Sequence, residues 1–302
     1  MGLLFRLLAI PVLVVVFAIC FRVIPRSLVV TVVNDSVYLA NEVKQYALAY
    51  VGYQPRTMEL YKIASSVDDI TDEQIRTASQ LVVMVYGLRG RRHQFDRHVQ
   101  LLRASDPNAL ILVPSLYLRG NAPIDVVLEK LMTPIVNLIE HKWDNTRPIT
   151  LMGISNGARM VLHALVKHHT SKWPLTTAIL IVGPLNGTNR IQLIRQYLPI
   201  WMRSYLPYYA EALDEMEYNA PHNQVIIAQA RRLKNIEWHF YASHWDWCVS
   251  PVETSVLDGF ENATKFVSQH HGHTSLADAA ADLHVHTILN NILSKTLVQS
   301  NS

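Results

Sequence analysis

From Leu81 onward the chain alternates between short apolar runs and longer stretches with helical spacing. The runs LVVMVYG (81–87), ALILVPS (109–115), ITLMGIS (149–155), TAILIVG (177–183) and IEWHFYAS (236–243) predict strands, and the patterns at about 91–104, 122–142 and 156–169 predict helices between the first four. The runs are apolar without a strict period of two, so both faces of each strand are expected to be covered. That is the signature of an α/β protein with a mostly parallel, doubly wound sheet. In such sheets ligands sit at the carboxyl ends of the strands.

Two regions depart from this rhythm. Residues 7–21, LLAIPVLVVVFAICF, form an uncharged run between Arg6 and Arg22, extendable to Leu3 and Ile24. A membrane-spanning helix needs about 20 apolar residues and a cleavable signal about 7–15. Residues 1–26 therefore read as a hydrophobic signal-anchor or signal segment, giving an N-terminal membrane-associated helix, or a secreted or periplasmic protein if the segment is cleaved. Arg22 and Arg26 outnumber Arg6, which places the body on the cytosolic side by the positive-inside rule. Residues 27–80 read as a helical collar in which LVVTVV (28–33) fits either a strand or a continuation of the apolar element, and SSVDDITDEQ offers Asp or Thr as helix caps. The body then spans 81–302. Its fourth and fifth strands are separated by an aromatic insertion at about 186–235, with Tyr197, Trp201, Tyr205, Tyr208, Tyr209 and Tyr218, which reads as a cap over the carboxyl edge or as a second layer of core helices.

Composition narrows the function classes. Half of the 302 residues are apolar and 17% are charged, which excludes a mostly disordered chain. The formal charge of +3, from 27 basic and 24 acidic residues, is too near balance to argue for a nucleic-acid partner. Cys20 and Cys248 form no metal or redox spacing.

Candidate chemistry starts at Gly153-Ile154-Ser155-Asn156-Gly157, a G-x-S-x-G pattern entered by a β-rich run and left by the helical ARMVLHALVKHH. The glycines suit a sharp turn that lifts Ser155 clear of the sheet, where a Cβ at either position would crowd a neighbouring strand or helix. The plainer alternative is a serine that caps a buried helix. A serine hydroxyl becomes nucleophilic when a histidine takes its proton and a carboxylate orients that histidine. Asp246 follows the strand at 236–243, and His273 lies 27 residues later in HGHTSL. His271 and His270 are alternative bases, and Asp258 an alternative acid. The histidines 270, 271, 273, 284 and 286 also invite a metal reading, but the spacing of a zinc helix is absent, and His284 and His286 read as surface residues of a terminal helix. The basic loop RGRR (89–92) reads as a solvated loop or as a site for an anionic headgroup.

From Leu81 to the C-terminus the chain resembles an α/β-hydrolase of the lipase/esterase type. The resemblance rests on the elbow at Ser155, on Asp246 followed by Val249 and Pro251, and on the histidine loop Gly272-His273-Thr274-Ser275-Leu276, in the order Ser, Asp, His. It implies that Ser155, Asp246 and His273 form a triad and that main-chain N–H groups of Leu88 and Asn156 form an oxyanion hole. The turn Tyr86-Gly87-Leu88-Arg89-Gly90 has tyrosine where the family usually has histidine. The implied activity is hydrolysis of a carboxylic ester, of a lipid or other apolar substrate, through an acyl-enzyme and without a cofactor. A thioesterase or amidase of the same fold, and an inactive membrane-tethered interaction protein, are the alternatives.

Overall fold

The computed structural model describes residues 26–50, 57–88, 90–120, 122–170, 173–174, 176–191 and 214–299. Residues 1–25 and 192–213, which carry the apolar front segment and five of the six aromatic residues named in the insertion, lie outside them. Among the described residues no helix is long and apolar enough to cross a membrane.

The body is built on β1 (Leu81–Val85), β2 (Leu110–Leu112), β3 (Ile149–Ile154), β4 (Thr176–Ile181), β5 (Ile236–Ser243) and β6 (Ala263–Ser268). They form one sheet in the order β2-β1-β3-β4-β5-β6, with every neighbouring pair parallel. The first four strands are buried along their whole length, in keeping with their uncharged runs rich in Val, Ile and Leu. β6 is the strand that the apolar pattern does not reveal. Its sequence ATKFVS carries a lysine, and it is largely exposed at the sheet edge, where a buried run is not required.

The helices follow in chain order as α1 (Arg26–Tyr50), α2 (Thr57–Leu60), α3 (Asp72–Thr77), α4 (Asp96–Ser105), α5 (Ile124–His141), α6 (Asn156–His168), α7 (Pro221–Ala230), α8 (Ser275–Ala279) and α9 (Ala281–Gln299). The ambiguous run at 28–33 is helical, inside α1. Its burial has the period of a helix: Thr31 and Asp35, one turn apart, are buried, whereas Val30, Val33 and Val37 face outward. In the acidic segment Thr71 caps α3 through a reciprocal capping box with Gln74.

Two surface readings are corrected by packing. His284 is fully buried and stacks on His98 of α4, with rings 5.3 Å apart and Nδ1 3.0 Å from His98 Nε2, while His286 is exposed. Burial pushes His98 down to about 3 and His284 well below the ordinary histidine value, so this pair joins α4 to α9 in the neutral form. Arg92 of the basic loop is no solvated side chain either. Its guanidinium donates to the carbonyls of Val113, Ile63 and Ala64 and so fastens the segment after α2 to the end of β2.

Candidate active site

The strand order changes direction at β1: β2 lies on one side and β3 on the other. In open parallel sheets ligands bind outside the carboxyl ends of the strands at such a switch, here those of β1 and β3. Ser155 stands there, between β3 and α6, with φ 56° and ψ −128°, a conformation that non-glycine residues rarely adopt. The turn is held by close backbone approach. A Cβ on Gly153 would lie 2.4 Å from the Gly157 carbonyl oxygen, and one on Gly157 would lie 2.1 Å from the carbonyl oxygen of Val85. The Ser155 side chain does not cap α6. Its Oγ is 2.9 Å from His273 Nε2.

His273 reaches the serine from the loop between β6 and α8. Its Nδ1 is 2.8 Å from Asp246 Oδ2, in the loop after β5. Asp246 is buried, and its second oxygen accepts from the main-chain N–H groups of Cys248 at 2.7 Å and Val249 at 2.8 Å. These bonds leave one oxygen for the imidazole and fix the protonated ring nitrogen as Nδ1, so that Nε2 faces the hydroxyl as an acceptor. Burial works against a charged His273. Asp246, by charge and by hydrogen bond, and Asp35, by charge, outweigh it, and the net shift is upward from the ordinary histidine value.

The structure thus brings together Ser155, Asp246 and His273. It does not bring in the alternatives: Asp258 is an exposed carboxylate paired with Lys265, and His271 meets Ser243 Oγ through its main-chain oxygen. Leu88 follows β1, and the adjoining turn touches the serine, since a Cβ on Gly87 would lie 2.8 Å from Ser155 Cβ. Asn156 opens α6, where the first N–H groups have no partner within the helix. Tyr86 is buried, and its phenol oxygen accepts the Leu116 N–H at 2.8 Å. The tyrosine braces the segment after β2.

A strained strand–turn–helix serine on a parallel sheet, followed along the chain by its acid and then its histidine, decides the architecture. The fold is that of the α/β-hydrolases. No protein-family model matches the chain, and no curated protein matches its sequence. Solved structures do match it. A thioesterase domain from the curacin biosynthetic pathway is 13% identical and covers 73% of this chain and 92% of its own, with a TM-score of 0.49. The mature lipase BlEst2 of Bacillus licheniformis is 13% identical over 71% of this chain and 92% of its own, with a TM-score of 0.46. An esterase of Pyrococcus furiosus is 14% identical over 72% and 82%, with a TM-score of 0.48.

Within this hydrolase fold, Asp246, Cys248 and His273 are the one set among the described residues whose potential metal-ligand atoms lie together, within 4.8 Å. Burial, with Asp246 and Asp35 nearby, pushes the Cys248 thiol up and keeps it protonated at neutral pH. The other two members, Asp246 and His273, are hydrogen-bonded to each other at 2.8 Å.

Two further groups surround the site without a signal in the sequence motifs. Arg159, one turn into α6, is fully buried and pulled down to about 10 by burial. It lies 3.5 Å from Glu215, which in turn accepts the Ile124 N–H at 2.9 Å, so the described end of the insertion is tied to the helix that follows Ser155. Asp35, from α1, lies buried against the His273 loop.

Proposed function

We propose that the protein is a serine hydrolase that cleaves a carboxylic ester through an acyl-enzyme. The carrying observation is the continuous relay from Ser155 Oγ to His273 Nε2, and from His273 Nδ1 to Asp246, at 2.9 and 2.8 Å. Ser155 Oγ attacks the carbonyl carbon as His273 takes its proton, and Asp246 stabilises the imidazolium that forms. The tetrahedral oxyanion is held by the N–H groups of Leu88 and Asn156, each worth about 3–4 kcal/mol in comparable sites. Collapse of the intermediate expels the alcohol, which takes its proton from His273, and water attacks the acyl group by the same sequence in reverse. Every step is served by this chain's own side chains and main-chain donors.

The apolar front segment favours a lipid or other apolar ester over a small polar one, and a location at the bilayer through residues 1–26. Fractionation of the full-length chain with membranes, with release after removal of those residues, is the expected result. Recovery of the intact chain in the soluble fraction would count against it.

The deciding assay is turnover of a p-nitrophenyl ester together with labelling by a fluorophosphonate probe. The expected outcome is both activities in the wild type. A folded chain inert to ester and probe alike would refute the enzyme reading and leave the interaction protein. An acyl-CoA thioester run in parallel separates esterase from thioesterase chemistry.

The pH dependence has a definite sign. His273 must be neutral to accept the serine proton, and its value is raised from that of an ordinary histidine. We expect kcat/KM to rise with pH along an acidic limb whose midpoint lies above about 6.5. A midpoint below that value would contradict His273 as the base.

A further inference from the structure

Asp35 is a carboxylate in the middle of the apolar helical sequence VVTVVNDSVYL. A buried carboxylate is unfavourable unless donors surround it. Here four hydrogen bonds converge on it. Its Oδ1 accepts from the main-chain N–H of Gly272 at 3.2 Å, the main-chain N–H of Ser275 at 3.0 Å and the Ser275 hydroxyl at 2.5 Å. Its Oδ2 accepts from the indole N–H of Trp247 at 3.1 Å.

The location of the donors is informative. Gly272 and Ser275 flank His273, and Trp247 adjoins Asp246 along the chain and places its ring 6.3 Å from the His273 ring. Asp35 therefore joins the two loops that deliver the acid and the base. The approach is close: a Cβ at 272 would lie 2.2 Å from Asp35 Oδ2, so a larger residue there would have to displace the carboxylate. The adjacent Asn34 donates to the His270 carbonyl at 2.6 Å, so the same face of α1 meets the loop at a second point.

We propose that Asp35 is a positioning residue for His273, clamping the loop Gly272–Ser275 to α1 so that Nε2 stays in line with Ser155 Oγ. Asp246 grips the imidazole itself, and Asp35 grips the backbone on either side of it. The clamp rests on the reading of Ser155, His273 and Asp246 as a working triad. It also ties the helix immediately after the apolar front segment to the catalytic base, so displacement of α1 would reach the chemistry without touching the substrate. Asp246 and Asp35 are the carboxylates that face His273, and Asp35 is itself faced by His271 and Cys248.

The test uses the full-length chain with Asp35→Ala, Asp35→Asn and, as a control for helix docking alone, Asn34→Ala. Asp35→Ala is expected to lower kcat about 100-fold, the scale of a misplacement of roughly 1 Å in a reacting group, with KM for a p-nitrophenyl ester little changed. Asp35→Asn keeps an oxygen for Gly272 and Ser275 but loses the charge and the acceptor for Trp247. It is expected to fold, to lose less activity, and to move the acidic limb of kcat/KM to lower pH. Asn34→Ala is expected to keep both the wild-type limb and kcat.

Nitrogen-15 NMR of the His273 ring reads the same shift without any turnover. A midpoint lowered in Asp35→Asn supports the clamp even if wild type proves inert to esters and probe, an outcome that would refute the triad reading alone. A folded Asp35→Asn with unchanged kcat and an unchanged His273 midpoint would overturn the proposal. So would an equal loss of kcat in Asn34→Ala. If Asp35→Ala does not fold, Asp35→Asn and Ser275→Ala carry the comparison, the latter removing one hydroxyl donor to Oδ1.

Discussion

Ser155→Ala is expected to lower kcat for an ester about 10⁶-fold and to abolish fluorophosphonate labelling, with the fold intact. The hydroxyl is the atom that forms the acyl bond, and its loss removes the bond-forming step while leaving the glycine contacts of the elbow in place. His273→Ala should cost about as much, and the double variant should be no worse than either single one, because the two groups act as one unit. Asp246→Asn is expected to lose about 10⁴-fold. Its side-chain oxygen can still accept from the Cys248 and Val249 N–H groups, but an amide N–H now faces Nδ1. The histidine is then driven to the other tautomer, with Nε2 protonated and unable to accept from Ser155. Steady-state kinetics on the three variants, with circular dichroism to verify folding, measures all of this. Independent, multiplicative losses for Ser155 and His273 would show that they do not act together. Residual activity above that of water in every variant is expected from the main-chain donors.

The positions of Ser155 and Asp246 were legible because each follows a strand whose apolar run is visible, and because the elbow needs its glycines for steric reasons that a pattern can express, whereas His273 was read from its own loop, HGHTSL. Five strands, β1 to β5, were legible for the same reason that they are buried. β6 was not, since an edge strand with Lys265 at its centre carries no buried run. His284 and His286 are two residues apart on a helix, and local spacing does not say which of them faces inward. The partner that decides it, His98, is 186 residues away. Asp35 is the extreme case. Its contacts with Gly272 and Ser275 span 237 and 240 residues, and in the sequence it is only a polar break in an apolar stretch. What a loop motif states locally could be read from the sequence, whereas what one helix does for another loop required the tertiary contact.

Gly157→Ala is expected to cost about 4 kcal/mol of stability or more, against a total of about 5–15 kcal/mol for a domain. The added Cβ would lie 2.1 Å from the Val85 carbonyl oxygen, 2.6 Å from that of Tyr86 and 2.7 Å from the Val85 carbonyl carbon. All three are backbone atoms at the end of β1, which is bound to β2 and β3 on its two sides and cannot yield by a rotamer change. Relief requires α6 to lift from the sheet, taking Ser155 with it. The expected readout is a large drop in the denaturant midpoint or loss of soluble protein. Gly259→Ala provides the contrast. There the nearest atom is Arg231 Nε at 3.2 Å, in a flexible side chain, and the cost is the positive φ of 78°, about 1–2 kcal/mol. Gly87→Ala separates stability from chemistry, because its Cβ would press on Ser155 Cβ at 2.8 Å and its Oγ at 3.3 Å. It should displace the nucleophile from the turn that carries Leu88 and lower kcat by more than its stability loss explains. Equal midpoints for Gly157→Ala and Gly259→Ala would mean that the close packing of α6 on β1 is not what holds the elbow.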